Sequence, residues 1–564
     1  MDWDVAIIGG GPAGSTLGTL LKRYSPDLRV AIFERERFPR DHVGESLLPS
    51  ISAILVEMGC WEAVEAAGFP IKVGATYRWG RSPELWDFDF LGGFPFQDQE
   101  RPAPYAGQRV MTAFQVDRSR YDQILLDHAA SFGCEVRQPS RVVTVSGKAG
   151  RVESLTLEDG GQVTARYYVD ASGASGLIRR CLGIRCDYPT NLRNIAIWDY
   201  WQNAEWAVTL GSGGTRIQVM SLGYGWIWFI PIGPDRTSVG LVVPADYYKQ
   251  SGLKPLDLYQ KAVGEDPMIR ELLASATCEG KPQTTSDWSF LSAQMAGENW
   301  FLVGESAGFA DPILSAGLTL THHGAREAAY TILELERGKL DREWLLSEYA
   351  NRQRQRISTH IRFADYWYTA NSQFKELQEF TSDLAASNGL DLAPDKAWAW
   401  LAQGGFISDE VQAGTGGFSL LFLKGSREFL ADFAYESPLE GNNLFRLNLT
   451  GATWKDRAWY RDGGVTQDPC YVRDGKVLPV GEAFEFVIHV LQQRSKLSEI
   501  IPLLNAEGGK SPRLLHLVRQ FPEALEAMVL DGWVVAGYDA SSPRYPINQR
   551  GSICHWNTDQ ARDA

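Results

Sequence analysis

The chain reads as an α/β protein: a Rossmann-like nucleotide-binding domain assembled from separated segments, with an inserted antiparallel β-sheet domain and a helical C-terminal extension. Three observations predict this. An apolar run closed by glycine (residues 4–9), helical spacing from Pro12 to about Tyr24 and a second apolar run ending in an acid (residues 29–34) make one βαβ opening. Two further strand-like runs, 167–170 and 300–304, lie far downstream, each followed by a glycine-containing turn and helical spacing. Between them, residues 187–245 alternate with a period of two and are dense in Trp, Tyr, Ile and Val, as an antiparallel sheet with one packed face requires.

At 564 residues the chain is several times a typical domain of ~150 residues. The expected division is a nucleotide-binding domain over 1–345 with its insert at about 186–284, a helical segment over 346–440 lining the substrate side, and a small helical or winged-helix-like domain over 441–564. In that tail, helices are expected over 481–504 and 511–529 and a strand over 532–535. An apolar fraction of 44% can bury cores of this size, which excludes a disordered chain. The net charge of −14 disfavours non-specific binding to nucleic acid or anionic lipid. The tail region 521–540, with several acids and no Lys or Arg, argues against a DNA-reading winged helix. The seven cysteines are scattered, without a C-x-x-C pair, so neither a disulfide scaffold nor a structural metal is expected. No run approaches the ~18 apolar residues of a membrane helix. A cytoplasmic location follows as an expectation.

Gly9-Gly10-Gly11-Pro12-Ala13-Gly14 is a G-x-G-x-x-G between the first strand and the first helix, and Glu34 closes the second strand twenty residues after Gly14. Gly9, Gly11 and Gly14 let the backbone turn tightly and approach a pyrophosphate. Pro12 and Ala13 open a helix whose free N–H groups and dipole favour the anion. Glu34 suits a ribose with a free 2′-hydroxyl, as in FAD or NAD rather than NADP. No second loop of this type is present, so a nicotinamide site is not expected in the same chain.

Gly304-Glu305-Ser306-Ala307-Gly308-Phe309-Ala310-Asp311-Pro312 resembles the second FAD fingerprint of flavoprotein monooxygenases of the GR2 or hydroxybenzoate-hydroxylase type, with Glu305 in place of the usual Asp. Asp170-Ala171-Ser172-Gly173 is similar to a third such element, and Arg118 to the arginine that reaches the cofactor. Trp226-Ile227-Trp228-Phe229-Ile230-Pro231 matches the W-x-W-x-I-P signature of flavin-dependent halogenases. Phe309-x-x-Pro312-x-x-Ser315-x-Gly317, the stretch Gly68–Gly80 around Lys72 and the run Gly44–Pro49 resemble further elements of that family. The resemblance covers about residues 1–370 and is nearest the non-tryptophan branch, which includes the chloramphenicol and chondrochloren halogenases.

What the resemblance implies is specific. FAD, reduced by a separate flavin reductase, would react with O2 and oxidise chloride or bromide to hypohalous acid. Trp226 and Trp228 would hold the organic substrate away from the flavin, and Lys72 would deliver the halogen, either as a hydrogen-bond donor to hypohalous acid or as a covalent haloamine. Ser315 lies on the path toward the substrate. Glu305, Gly304, Asp170, Arg118 and Pro312 would contact the cofactor. In chloramphenicol-type members the aspartate of an Asp-Pro pair is bonded to the flavin; the other role open to Asp311 is a helix N-cap. The small-residue turn at Ala316 and Gly317 can present two amides to a halide. An electrophilic halogen calls for an electron-rich substrate, phenolic or otherwise aromatic, free or tethered to a carrier protein.

Two other features carry less. His322-His323 cannot form a metal site alone, because adjacent helical side chains diverge by about 100° and no third ligand is near. Phe363, Tyr366, Trp367 and Tyr368, followed by Phe374 and Phe380, form an aromatic stretch fit either for a core or for a substrate wall. The competing readings are a flavin hydroxylase or geranylgeranyl-reductase-like enzyme, and a catalytically silent flavin-binding partner.

Overall fold

In the computed structural model, the structure describes residues 2–79, 84–91, 94–148, 150–190, 193–286, 289–370, 439, 441–473, 476–530, 532–541 and 554–556. The opening is as the apolar pattern dictates: β1 (Trp3–Ile8), α1 (Pro12–Tyr24) and β2 (Val30–Phe33), with both strands nearly solvent-free. Pro12 pre-sets the first turn of α1, and Lys22 and Arg23 in its last turn meet the negative end of the dipole. β3 (Ile71–Arg78) and the short β4 (Ala113–Phe114) follow, then α2 (Arg118–Ser131), capped by the Asp117 carboxylate on the Ser119 N–H, then β5 (Glu135–Arg137) and β6 (Ala165–Asp170). Strands β7 (Asn194–Gln202), β8 (Gly214–Leu222), β9 (Gly225–Pro231) and β10 (Arg236–Pro244) form the insert. The chain returns through β11 (Trp300–Leu302) to α3 (Ala316–Arg337) and α4 (Arg342–Ala370).

The strands pair as a parallel sheet in the order β11-β6-β1-β2-β5, so the carboxyl ends of β1, β6 and β11 lie side by side although their sequences are far apart. Helices α1, α2 and α3 are tied together by buried His322, whose Nδ1 lies 2.9 Å from Thr16 Oγ1 and Nε2 2.9 Å from the Tyr121 hydroxyl. This histidine is a packing residue, held neutral by burial that lowers its pKa to about 3. Among the described residues no group of His, Cys, Asp and Glu could hold a metal ion, and no helix is long and apolar enough to cross a membrane.

The insert sheet runs β7-β10-β9-β8 antiparallel, but it is not closed by its own strands. β3, from before the insertion, joins β8 in parallel, so the expected antiparallel sheet is mixed at that edge. Alternation sorts the faces of β9: Ile227 and Phe229 enter a core with Leu258, Tyr259 and Ile269, while Trp226 and Trp228 point the other way.

Two compact units result, one of residues 1–378, 460–465 and 556–564 and the other of 379–459 and 466–555. α4 runs unbroken through the boundary expected at residue 345 and belongs with the first unit. In the second unit, helices Glu482–Gln493, Leu497–Gly508 and Pro512–Leu530 and the antiparallel pair Leu444–Leu447 with Val534–Gly537 surround a core that includes Phe484, Val487, Met528 and Trp533. The helix expected over 481–504 is two helices, interrupted before Leu497.

Candidate active site

The carboxyl ends of the parallel strands and the outer face of the insert enclose one cavity of about 630 Å³ in the first unit. Its nucleotide end is made of backbone. Gly9 has φ +105° and a Cβ there would sit 2.5 Å from the Ala171 oxygen; a Cβ on Gly14 would sit 2.0 Å from the Gly9 oxygen. Only glycine allows strand, loop and helix to approach this closely. Gly9, Gly11, Pro12, Ala13 and Glu34 line the cavity, whereas Gly14 lies behind them and permits the packing. The carboxylate of Glu34 accepts the N–H of Gly10 at 2.6 Å and of Glu36 at 2.8 Å, so it also shapes the loop.

Arg118, buried, spends its guanidinium on Asp122 at 2.7 and 2.9 Å and on the carbonyls of Val43 and Gly44 at 2.8 and 3.1 Å, and it faces the cavity. Asp170 does not line the cavity. Its carboxylate accepts from Ser172 and from the Ile178 N–H at 2.7 Å, holding the turn whose residues Ala171, Ser172 and Gly173 do line it. Gly304, Glu305 and Pro312 also line the cavity, with the Glu305 carboxylate beside Gly173.

At the far end both indoles face the cavity, with Trp226 and Trp228 ring centroids 6.0 Å apart. Trp228 donates to Ser238 Oγ at 3.1 Å and fits because Gly240, its partner across the strand pair, has no side chain; a Cβ there would lie 2.1 Å from the indole. Trp226 donates to the Tyr368 hydroxyl at 2.7 Å. That hydroxyl lies 3.2 Å from Asp311 Oδ1, and Asn194 Nδ2 reaches both Tyr368 (3.2 Å) and Asp311 Oδ2 (3.4 Å). Asp311 also caps the turn after it, accepting the Ile313 N–H at 2.9 Å, and burial raises its pKa to about 7. It sits behind the cavity wall and not on it.

Lys72 is 1% exposed, with Nζ 3.1 Å from the Leu47 carbonyl and 3.5 Å from Ser315 Oγ. Burial lowers its pKa to about 7. Ser315 lines the cavity, so the amine lies just beyond that wall. Lys72 reaches this place through a β-bulge. The pairing of β3 with β8 skips Val73, and this brings Lys72 and Tyr77, an odd number of residues apart, to the same turn: Tyr77 Oη is 3.4 Å from the Ile313 oxygen. A regular strand would send them to opposite faces. Ser315 itself has φ 57°, a left-handed conformation unusual for a residue with a side chain, and it turns the chain into α3. Ala316 and Gly317 are thereby the first two residues of a long helix, whose N–H groups have no intrahelical acceptor, and Gly317 lines the cavity.

The tryptophan halogenase family profile matches residues 4–100 and 96–377. The chain belongs to that family. Tryptophan 2-halogenase of Chondromyces crocatus is 33% identical over 345 residues, 60% of this chain and 62% of that protein, so the match spans less than two thirds of its length. A 1H-pyrrole-2-carbonyl-peptidyl-carrier-protein chlorinase of Pseudomonas fluorescens is 31% identical over 391 residues, 66% of this chain and 85% of the relative. The flavin-dependent halogenase CmlS superposes with a TM-score of 0.73 at 26% identity, covering 98% of this chain and 99% of its own. The myxobacterial chondrochloren halogenase CndH superposes at 0.59 with 27% identity, over 69% of this chain and 90% of that one. The resemblance to the non-tryptophan halogenases, drawn from motifs, therefore holds, as does the FAD-binding α/β fold of these relatives.

Asn194, Ser238 and Gly240 are residues the sequence did not single out, and they depend on the register of β7, β9 and β10; Tyr368 of the aromatic stretch is buried and serves as the acceptor of Trp226. The side chains of Phe363, Tyr366 and Trp367, and all of Phe374 and Phe380, lie outside the described residues.

Proposed function

We propose that the chain is a halogenase working with a separate flavin reductase, and that Lys72 carries the halogen to an electron-rich aromatic substrate. The observation that carries this reading is the buried amine, with no ion-pair partner among the described residues, standing behind Ser315 of the cavity wall. The residues fit FAD: the loop approaches as only glycine permits, and Arg40 beside Gly11 keeps a buried Nη1 with no hydrogen-bond partner among the described residues, free for a phosphate oxygen. When bound and reduced, FAD supplies with O2 the two-electron oxidation of chloride or bromide to hypohalous acid.

The chain's own residues do the rest. Gly9, Gly11, Pro12, Ala13, Glu34, Arg118, Gly304, Glu305 and Pro312 hold the cofactor, and Gly14 and Asp170 hold the loops that do so. Ala316 and Gly317 offer amides to the halide. Trp226 and Trp228 exclude organic substrate from the flavin, with Trp226 held through Tyr368 and Asp311. Covalent attachment at Asp311 would need a shift of the turn, because its carboxyl stands behind the cavity wall. Above about pH 7 Lys72 is a neutral amine. Its nitrogen attacks the halogen of hypohalous acid: the nitrogen–halogen bond forms, the halogen–oxygen bond breaks, and hydroxide leaves with the amine proton as water.

Incubating the protein with FAD, a flavin reductase, NADH, bromide and a phenol tests this by mass spectrometry. A product with the bromine isotope pattern is expected. A hydroxylated phenol, or NADH oxidation without the reductase, would favour the hydroxylase or reductase reading instead. The similarity to the pyrrole-carbonyl carrier chlorinase makes a carrier-bound aromatic acyl group the second substrate form to assay.

A further inference from the structure

One group near Lys72 is not used by the chemistry above. Gln115 is fully buried, and neither the oxygen nor the nitrogen of its carboxamide has a hydrogen-bond partner among the described residues. A buried amide with both ends unmet is costly, so such a group calls for a small polar occupant. Its place is set by the strand register. Residues 113–116 run between the β3 edge and residues 45–47: Ile71 pairs with Phe114 and Lys72 with Ala113, the Gln115 N–H donates to Pro70, and Val116 N–H donates to Glu45. By alternation, Lys72, Ala113 and Gln115 share one face. The Lys72 side chain leaves β3 and ends on the Leu47 carbonyl, on the far side of that strand, so it crosses the small Ala113 beside Gln115. Ser46 bridges directly to Gln115, lines the cavity, and has a buried hydroxyl likewise without a partner among the described residues.

We propose that Gln115, with Ser46, forms a polar niche that holds the oxygen of hypohalous acid against the Lys72 amine, making Gln115 a catalytic residue for halogen transfer. This rests on the halogenase reading above. During transfer the oxygen must be held while the halogen–oxygen bond breaks, and it departs as water once it has taken the amine proton. An oxygen that gains a proton in the same step needs both a donor and an acceptor nearby, and a carboxamide offers the two from one side chain. Ser46 opens the niche to the cavity through which hypohalous acid arrives. Between turnovers the same place suits a single water.

The test uses the FAD-loaded protein with reductase, NADH and bromide, and reads brominated phenol and trapped hypobromite (with a dimedone-type trap) in parallel. For Gln115→Leu, brominated phenol is expected to fall roughly tenfold or more, as mispositioning a reacting group costs, while trapped hypobromite rises to make up the loss. The thermal midpoint should not fall, because leucine removes an unmet polar group from the interior. Gln115→Glu places a carboxylate by the amine, and the rising limb of product formation should move to higher pH. A leucine variant that brominates phenol at the wild-type yield would overturn the niche, and so would one in which phenol and trap products fall together. If the wild type gives neither product, the halogenase reading fails and the niche falls with it.

Discussion

The two ends of the cavity are made by opposite means. The nucleotide end is backbone: glycines at 9 and 14 bring strand and helix within a distance that no Cβ allows, and Gly9 does the same for the distant turn at Ala171. The lysine end is side chains from segments far apart, with Lys72 from β3, Ser315 from the turn before α3, Trp226 and Trp228 from β9, and Tyr368 from α4. The first end is fixed by backbone steric limits and the second by side-chain packing around a buried amine. The two should therefore fail differently when altered.

The largest effect is expected from Lys72→Ala, which should cut carbon–halogen product on the order of a thousandfold or more if the proposed halogen carrier is removed, while hypohalite still reaches a trap. Loss of both would show that the two ends are not separable. Gly14→Val strikes the other end. Its side chain would meet the Gly9 carbonyl, and titration calorimetry should show FAD affinity weakened roughly a hundredfold, the equivalent of about 3 kcal/mol. The pH profile sharpens the lysine end. With its pKa lowered to about 7 by burial, the neutral amine declines about tenfold per unit below that value. Product formed per hypohalite made should therefore rise as pH increases through about 7, whereas an ammonium donor would give the opposite slope. Glu45 and Asp311, whose carboxyls burial raises to about 6 and about 7, titrate in the same window and gain charge as Lys72 loses it. The smallest effect is that of Tyr368→Phe, which leaves the Trp226 N–H without its acceptor. A stability loss of roughly 1–3 kcal/mol, seen as a lower thermal midpoint, should come with more trapped hypohalite and less product.

Much of this was legible beforehand for a physical reason. The strand–glycine–helix opening and Glu34 are neighbours in sequence because a phosphate loop is a local backbone shape. The W-x-W-x-I-P run was legible because alternation puts both indoles on one face of a single strand. Other features were out of reach. The joining of β3 to the insert, the bulge at Val73 and the packing of α4 depend on pairings between residues far apart in the chain. Asp170, expected to contact the cofactor, lies outside the cavity lining and braces the turn that lines it, a side-chain direction that spacing does not carry.

By itself, then, the amino-acid sequence determined that a dinucleotide loop opens the chain, that a tryptophan pair faces one way on a strand, and that a lysine follows an apolar segment. Only the tertiary structure decided that this lysine is buried against a carbonyl and a serine, that Asp311 reaches Trp226 through a tyrosine of α4, and that Gln115, on the lysine's face, is buried without a partner among the described residues. The reason is reach: local sterics act between neighbours, whereas burial and hydrogen-bond satisfaction are properties of the places where distant segments meet.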